Sequence, residues 1–355
     1  MITRRHLMAA GGALAGAAAF GGTGTAAGLK QLRVGFGQKA ISANLINLLI
    51  GETLGYNAAE GFTVKGMAIG GNANVQVAVE RGDVDIGVGV PSFGLPLLAK
   101  GQWGKMLNFY EYTYPYKWDV AVKPGSKIKS YQDLKGHNIG VSDFGGTEYP
   151  VTKNVLRSIG IDPERDVKWT AVGNGSQAGV ALERGAIDAL AYYDTGFGQI
   201  EAAGIKLAFL PRPAHLPMIG GQFLMAKDEF LAKDKALAVG YGRSVAKASV
   251  FILANPTAGV EAFLKMYPET APRGSSGAAA VTAMMTEISR RIRLYEPPYA
   301  GAKMGSINPV EFTTEAKMNN YKLGDLKTYY TNDLIAAIND FDAAKIQAQA
   351  KAYKA

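Results

Sequence analysis

Apolar and polar positions alternate along Leu32-Arg-Val-Gly-Phe36, the pattern of a strand with one buried face. Leu45, Leu48 and Leu49 then fall at helical spacing, which predicts a helix over residues 44–54. A second strand is expected over residues 62–69, with Gly70-Gly-Asn-Ala-Asn74 as the turn after it. Val75, Val77 and Val79 alternate, and taken alone they argue for another strand. An internal repeat argues otherwise. Residues 71–85 recur as residues 173–188, with Glu80-Arg-Gly82 matched to Glu183-Arg-Gly185 and an Asp three positions beyond each Gly. The second copy lacks the Val alternation, so a helix ending on the glycine fits both. Short strands follow at residues 84–88 and 187–191. Two copies of helix, glycine and strand, about a hundred residues apart, predict two related α/β units with right-handed crossovers and largely parallel sheets.

The second unit contains Val141-Ser-Asp-Phe-Gly-Gly-Thr-Glu-Tyr-Pro-Val-Thr152, between a short apolar run and a helix-like stretch. A strand running through Gly-Gly-Thr into a helix leaves backbone N–H groups at the helix start, where a polar or anionic ligand is favoured. Phe144, Gly145, Gly146 and Thr147 are candidates for ligand contact on that ground, with Tyr149 beside them. The competing reading is a plain strand–turn–helix joint with Thr147 as N-cap. Ser92 and Phe93 follow the strand of the first repeat, and Tyr193 and Asp194 that of the second. Ligands of open α/β sheets bind beyond the carboxyl ends of strands, which makes these four pocket candidates; turn chemistry is the alternative. Between the units, Tyr110, Tyr112, Tyr114, Tyr116 and Trp118 alternate like one aromatic strand face, either structural or the wall of a cleft. Beyond a strand expected over residues 221–226 the pattern turns helical, over 234–254, 257–267 and 276–295, with shorter amphipathic stretches around 313–323 and 326–338.

Composition narrows the chemistry. The 355 residues allow one large domain or two medium ones. The absence of cysteine excludes disulfides, thiolate metal sites, iron–sulfur clusters and a cysteine nucleophile. Three histidines, His6, His137 and His215, are too few and too scattered for a His-rich metal centre. Residues 1–27 have a basic start, a weakly apolar Ala/Gly-rich run and small residues at Thr25-Ala-Ala27. With Thr3-Arg-Arg5 ahead of Leu7-Met8, they resemble a twin-arginine export signal that is removed from the mature chain. The formal net charge of +8 falls by two with Arg4 and Arg5. Arg290, Arg291 and Arg293 make the one dense basic cluster and read as a solvated helix end, so no nucleic-acid partner is expected.

In this order the chain resembles the periplasmic solute-binding proteins of ATP-driven (ABC) importers, in the group for nitrate, sulfonates, taurine and the thiamine pyrimidine precursor. The resemblance rests on Arg33-Val-Gly-Phe-Gly-Gln-Lys39, Glu80-Arg-Gly-Asp-Val-Asp85, Tyr131-Gln-Asp-Leu-Lys-Gly136, Ile139-Gly-Val-Ser-Asp-Phe-Gly-Gly-Thr147 with Leu156-Arg-Ser-Ile-Gly160, and Arg184-Gly-Ala-Ile-Asp188. It covers essentially the whole mature chain. It implies an α/β, two-lobed type II periplasmic binding protein fold, each lobe a mixed, mostly parallel sheet flanked by helices, joined by a two-strand hinge. Lobe one would hold residues 28–118 and 222–355, and lobe two residues 119–221. A small organic ligand (a sulfonate, a carboxylate, or an aromatic or heteroaromatic compound) would sit between the lobes. The residues implied to hold it are Gln38, Ser42, Ser92, Phe93, Phe144, Gly145, Gly146, Thr147, Tyr193 and Asp194. No arginine falls at a matching pocket position, which leaves Lys39 and Lys117 as the nearest partners for an anion. The resemblance further implies a monomer with no catalysis, cofactor or metal, working with an ABC permease in the membrane. An exported enzyme and a receptor feeding a sensor are the alternatives.

Overall fold

The two copies of helix, glycine and strand each nucleate one sheet. The computed structural model describes residues 28–355 apart from His215, Pro217, Arg273 and Ala355, and the expected export signal lies outside the described residues. Five strands, β1 (Lys30–Phe36), β2 (Phe62–Ala68), β3 (Ile86–Gly89), β4 (Met106–Thr113) and, much later, β10 (Gln222–Lys227), form the first sheet in the order β2-β1-β3-β10-β4. The second comprises β5 (Trp118–Val122), β6 (Asn138–Val141), β7 (Lys168–Ala171), β8 (Ala189–Tyr193) and β9 (Ala208–Phe209), in the order β7-β6-β8-β5-β9. In each, three strands are parallel and the fourth runs against them: β2-β1-β3 with β10, and β7-β6-β8 with β5. The chain passes from the first sheet to the second at residues 114–117 and returns over residues 210–221.

The early helices are α1 (Ile46–Leu49), α2 (Tyr56–Ala59), α3 (Asn72–Arg81) and α4 (Pro91–Ala99). In the second unit come α5 (Glu148–Ser158), α6 (Ser176–Glu183) and α7 (Asp194–Ala202). The rest are α8 (Asp228–Lys233), α9 (Lys235–Ala254), α10 (Pro256–Met266), α11 (Gly277–Ile292), α12 (Val310–Met318), α13 (Ile335–Ile338) and α14 (Ala343–Ala352).

The repeat is a structural device in both copies. Residues 75–79 are helical, as the second copy required, and lie in α3. Gly82 (φ 79°) and Gly185 (φ 74°) take the left-handed conformation that ends the helix, where a side chain would be strained. The Asp three residues on has the same task twice. Asp85 accepts from the Arg33 N–H (2.8 Å) and Asp188 from the Asn138 N–H (2.8 Å), so each carboxylate ties down the neighbouring parallel strand, at mid-strand in β1 and at the start of β6.

Two expectations are corrected. The helix expected over residues 44–54 stops at Leu49, because Gly51 and Gly55 interrupt it and the Gly51 carbonyl accepts from Tyr56 and Asn57 instead. The aromatic run is not one strand: β4 ends at Thr113, and Trp118 opens β5 in the other sheet. Residues 110–118 are all buried across the break, so the aromatic alternation does not mark one exposed and one buried face. The helices expected after residue 234 are present as α9, α10 and α11, with the Asn255 side chain capping the Ala258 N–H (3.1 Å). Helix α9 is long and apolar enough to cross a membrane by those criteria alone, yet Tyr241, Val245, Phe251 and Ile252 are buried in the first sheet's core.

Candidate ligand-binding site

A cavity of about 320 Å³ lies between the sheets, at the carboxyl ends of β1, β3, β6 and β8. This is where loops of two α/β units converge and where backbone groups are left unpaired for ligand. Of the residues proposed from sequence, Gln38, Ser42, Gly145, Gly146, Thr147 and Tyr193 line it. The other four lie elsewhere. Ser92 and Phe93 sit in the first turn of α4, Ser92 beside Glu315 of α12. Phe144 is 54% exposed and packs edge-on against Tyr149, which packs edge-on against Trp169. Asp194 is buried against Arg291.

The start of α5 differs from the open anion cradle that the Gly-Gly-Thr sequence suggests. The Gly145 N–H donates to Asp143 Oδ1 (2.8 Å) and the Gly146 N–H to the Asp143 carbonyl (3.1 Å). Glu148 Oε1 accepts from the Ser142 N–H (2.9 Å) and from the Ser142 hydroxyl. The chain's own carboxylates therefore take up N–H groups of the turn that leads into this helix. Thr147 occupies the N-cap position without capping by its side chain. Its hydroxyl accepts from Asn72 Nδ2 (2.9 Å), which joins the second unit to the first across the cleft mouth.

Several lining residues were missed, and one signal was available. The repeat aligns Asn72 with Asn174, and both line the cavity. Tyr112 and Trp118, from the aromatic run with a cleft-wall reading, line the cavity, whereas Glu148, Gln199 and Gln222 carry no sequence signal of that kind. Lys117, named only as a partner for an anion, is 5% exposed. Its Nζ donates to Gln222 Oε1, which also accepts from the Tyr112 hydroxyl (2.9 Å), and lies 4.8 Å from the Trp118 ring centroid. Burial first, and then the Arg291 charge, push Lys117 well below the usual lysine range. Burial likewise pushes Glu148 upward, against the opposing pull of Ser142. Gln38 Oε1 is buried and has no donor. The cavity thus offers a buried lysine amine, an acceptor without a partner and two flat surfaces, Trp118 and Tyr193.

Behind the cavity, Arg291 overturns the expectation of a solvated basic helix end. It is 1% exposed and grips Asp194 with two bonds of 2.6 Å, while Nη1 donates to the Asn44 carbonyl (3.1 Å). Arg290 lies over the Phe209 ring at 4.1 Å and pairs with Glu201 (2.9 Å). Glu287 accepts from Gln199 (2.6 Å). One face of α11 is therefore spent on α7, and the three arginines do not form a surface patch.

Two sheets of the same parallel-antiparallel pattern, two chain crossings and a cavity between them define a two-lobed type II periplasmic binding protein fold. Solved structures share it. A protein of Bordetella bronchiseptica RB50 matches at 22% identity, over 87% of this chain and 97% of that one, with a TM-score of 0.65. The alkanesulfonate-binding protein SsuA of Xanthomonas axonopodis pv. citri, bound to MOPS, matches at 16% identity over 88% and 99%, with a TM-score of 0.60. The periplasmic aliphatic sulphonate binding protein SsuA of Escherichia coli matches at 18% identity over 74% and 84%, with a TM-score of 0.58. No curated protein matches the chain. The family model described as NMT1/THI5 like matches residues 42–259, and the chain belongs to that family. The resemblance drawn from the motifs holds at this level.

Proposed function

We propose that this chain is the extracytoplasmic substrate-binding protein of an ABC importer, exported through the twin-arginine signal at residues 1–27 and delivering a small organic ligand to a membrane permease as a monomer. The observation that carries the reading is the cavity between the sheets, with Lys117 buried in its wall and unpaired with any carboxylate among the described residues. An anionic group on the ligand, sulfonate or carboxylate, would restore the charged form of Lys117. A ring would lie on Trp118 or Tyr193, and a donor would meet Gln38 Oε1. A volume of about 320 Å³ is at the small end for ligand pockets and suits a compound of modest size. The names of the structural neighbours, which include sulfonate-binding proteins, support the same ligand class. Lobe one would comprise residues 28–118 and 222–355 and lobe two residues 119–221, with the crossings as hinge. Closure is then a population shift driven by contacts that the ligand makes with both lobes at once.

A thermal-shift screen of sulfonates, carboxylates and heteroaromatic acids tests this. A ligand at a hundredfold excess over its Kd is expected to stabilise the protein by about 2.7 kcal/mol. Lys117→Met is expected to lose most of the shift for anions while the ligand-free protein stays folded. Turnover of a compound, with no shift by any, would overturn the transport reading in favour of an exported enzyme.

A further inference from the structure

Away from the cavity, three glutamates meet where the chain crosses between the lobes. Glu111 lies in β4, two residues before its end, and Glu311 and Glu315 stand one turn apart on α12. All three are at most 1% exposed. They connect parts of both lobes. Glu311 Oε2 accepts from the Gly221 N–H (3.2 Å), at the end of the second crossing, and Glu311 Oε1 from the Tyr299 hydroxyl (2.9 Å). Glu315 Oε1 accepts from Asn154 Nδ2 (3.3 Å) on α5, the helix whose start lines the cavity. Helix α12 touches α4 of the first unit and α5 of the second.

No cation neutralises this cluster among the described residues. The nearest guanidinium groups are engaged elsewhere, Arg212 with Asp119 and Arg157 with Asn154, Asn319 and Glu164. The other titratable groups facing it are the phenols of Tyr114, Tyr116, Tyr299, Tyr321 and Tyr329, all pushed upward chiefly by burial. Neither oxygen of Glu111 meets a donor, nor does Glu315 Oε2. What Glu111 meets is the carboxyl of Glu311, and both converge on Gly221, where a Cβ would collide with each. Two buried carboxyl groups this close do not both ionise. Burial first, and then the Glu311 contact, push Glu111 upward; burial pushes Glu311 up to about 7 against the pull of its donors and of Glu111, and burial pushes Glu315 up to about 7. Glu311 and Glu315 also repel as like charges at i,i+4.

We propose that Glu111, Glu311 and Glu315 form a proton-dependent bolt across the hinge, holding the lobes together while protonated and releasing them on ionisation. Ionisation leaves three carboxylates facing one another with too few donors. Water must then enter, and α12 parts from α5 and from the second crossing. The bolt is independent of the cavity residues and acts with the cavity empty.

The test uses the mature chain without ligand. Having no cysteine, it accepts a dye pair at Lys65→Cys on β2 and Lys168→Cys on β7, both exposed. Energy transfer is expected to fall as pH rises from about 5 to about 8. In the E111Q/E311Q/E315Q variant it is expected to keep its low-pH value throughout. Constant transfer in the unsubstituted background, or the same titration in the triple variant, overturns the bolt. Should the triple variant not fold, E315Q alone carries the test by infrared absorption. At about pH 6 it is expected to lose part of the protonated-carboxyl band, and equal bands in the two proteins overturn the proposal.

Discussion

At the scale of single residues, burial decides which charges matter. Arg291 and Asp194 are a fully buried pair whose two short bonds offset their desolvation. Arg291→Ala leaves Asp194 buried and alone, with an expected loss of about 3 to 5 kcal/mol in chemical denaturation. An effect below about 1 kcal/mol would mean that the pair is solvated, as surface pairs are. Glu315 makes the opposite case, a carboxylate whose neutral form is the stable one. Its pKa in the folded chain, about 7, lies above the ordinary 4.5. The folded state therefore binds more protons than the unfolded state between these values. Its contribution is complete below pH 4.5 and is lost as pH rises through about 7. Calorimetry is expected to give a lower Tm at about pH 8 than at about pH 5, and E315Q is expected to flatten that slope.

At the scale of elements, the repeat was the most legible feature. Its glycines need a positive φ and its aspartates bind the neighbouring parallel strand, so the local pattern carried the structural requirement with it. The Val alternation of α3 and the aromatic run from Tyr110 to Trp118 both misled. Period two arises in α3 because Val75 and Val79 are buried one turn apart while Val77 between them is exposed, and in the aromatic run because the chain changes sheets between two buried strand ends. The α7–α11 contact was invisible, since it joins elements about ninety residues apart through a glycine. At Gly198 a Cβ would collide with the Glu287 backbone, which has nowhere to move. Gly198→Ala is expected to destabilise the protein by about 1 to 3 kcal/mol. It is also expected to weaken the Arg291–Asp194 grip, so that combining it with Arg291→Ala costs less than the sum. Strict additivity in the double mutant would show that the contact and the ion pair are independent.

For the whole molecule, the Asn72–Thr147 bond spans the cleft mouth, so the described arrangement has the lobes touching there. Small-angle scattering with the ligand that the thermal screen selects is expected to match this arrangement. The ligand-free protein at high pH is expected to be more extended. Identical scattering curves under both conditions would remove lobe motion from the account.

The sequence by itself determined the class of architecture, because strand and helix periods, glycine stops and a hundred-residue repeat are local or near-periodic constraints. It also located the polar turn before α5, and through the repeat it pointed to Asn72 and Asn174 without their being read. Tertiary structure decided the rest. It turned Phe144 to the surface and buried Asp194 against a distant arginine. It filled the start of α5 with Glu148, and it set Lys117 into the cavity wall without a carboxylate. Each of these is a question of which charge or ring meets which partner across the lobes. Burial and pairing are properties of the folded neighbourhood, and no spacing along the chain encodes them.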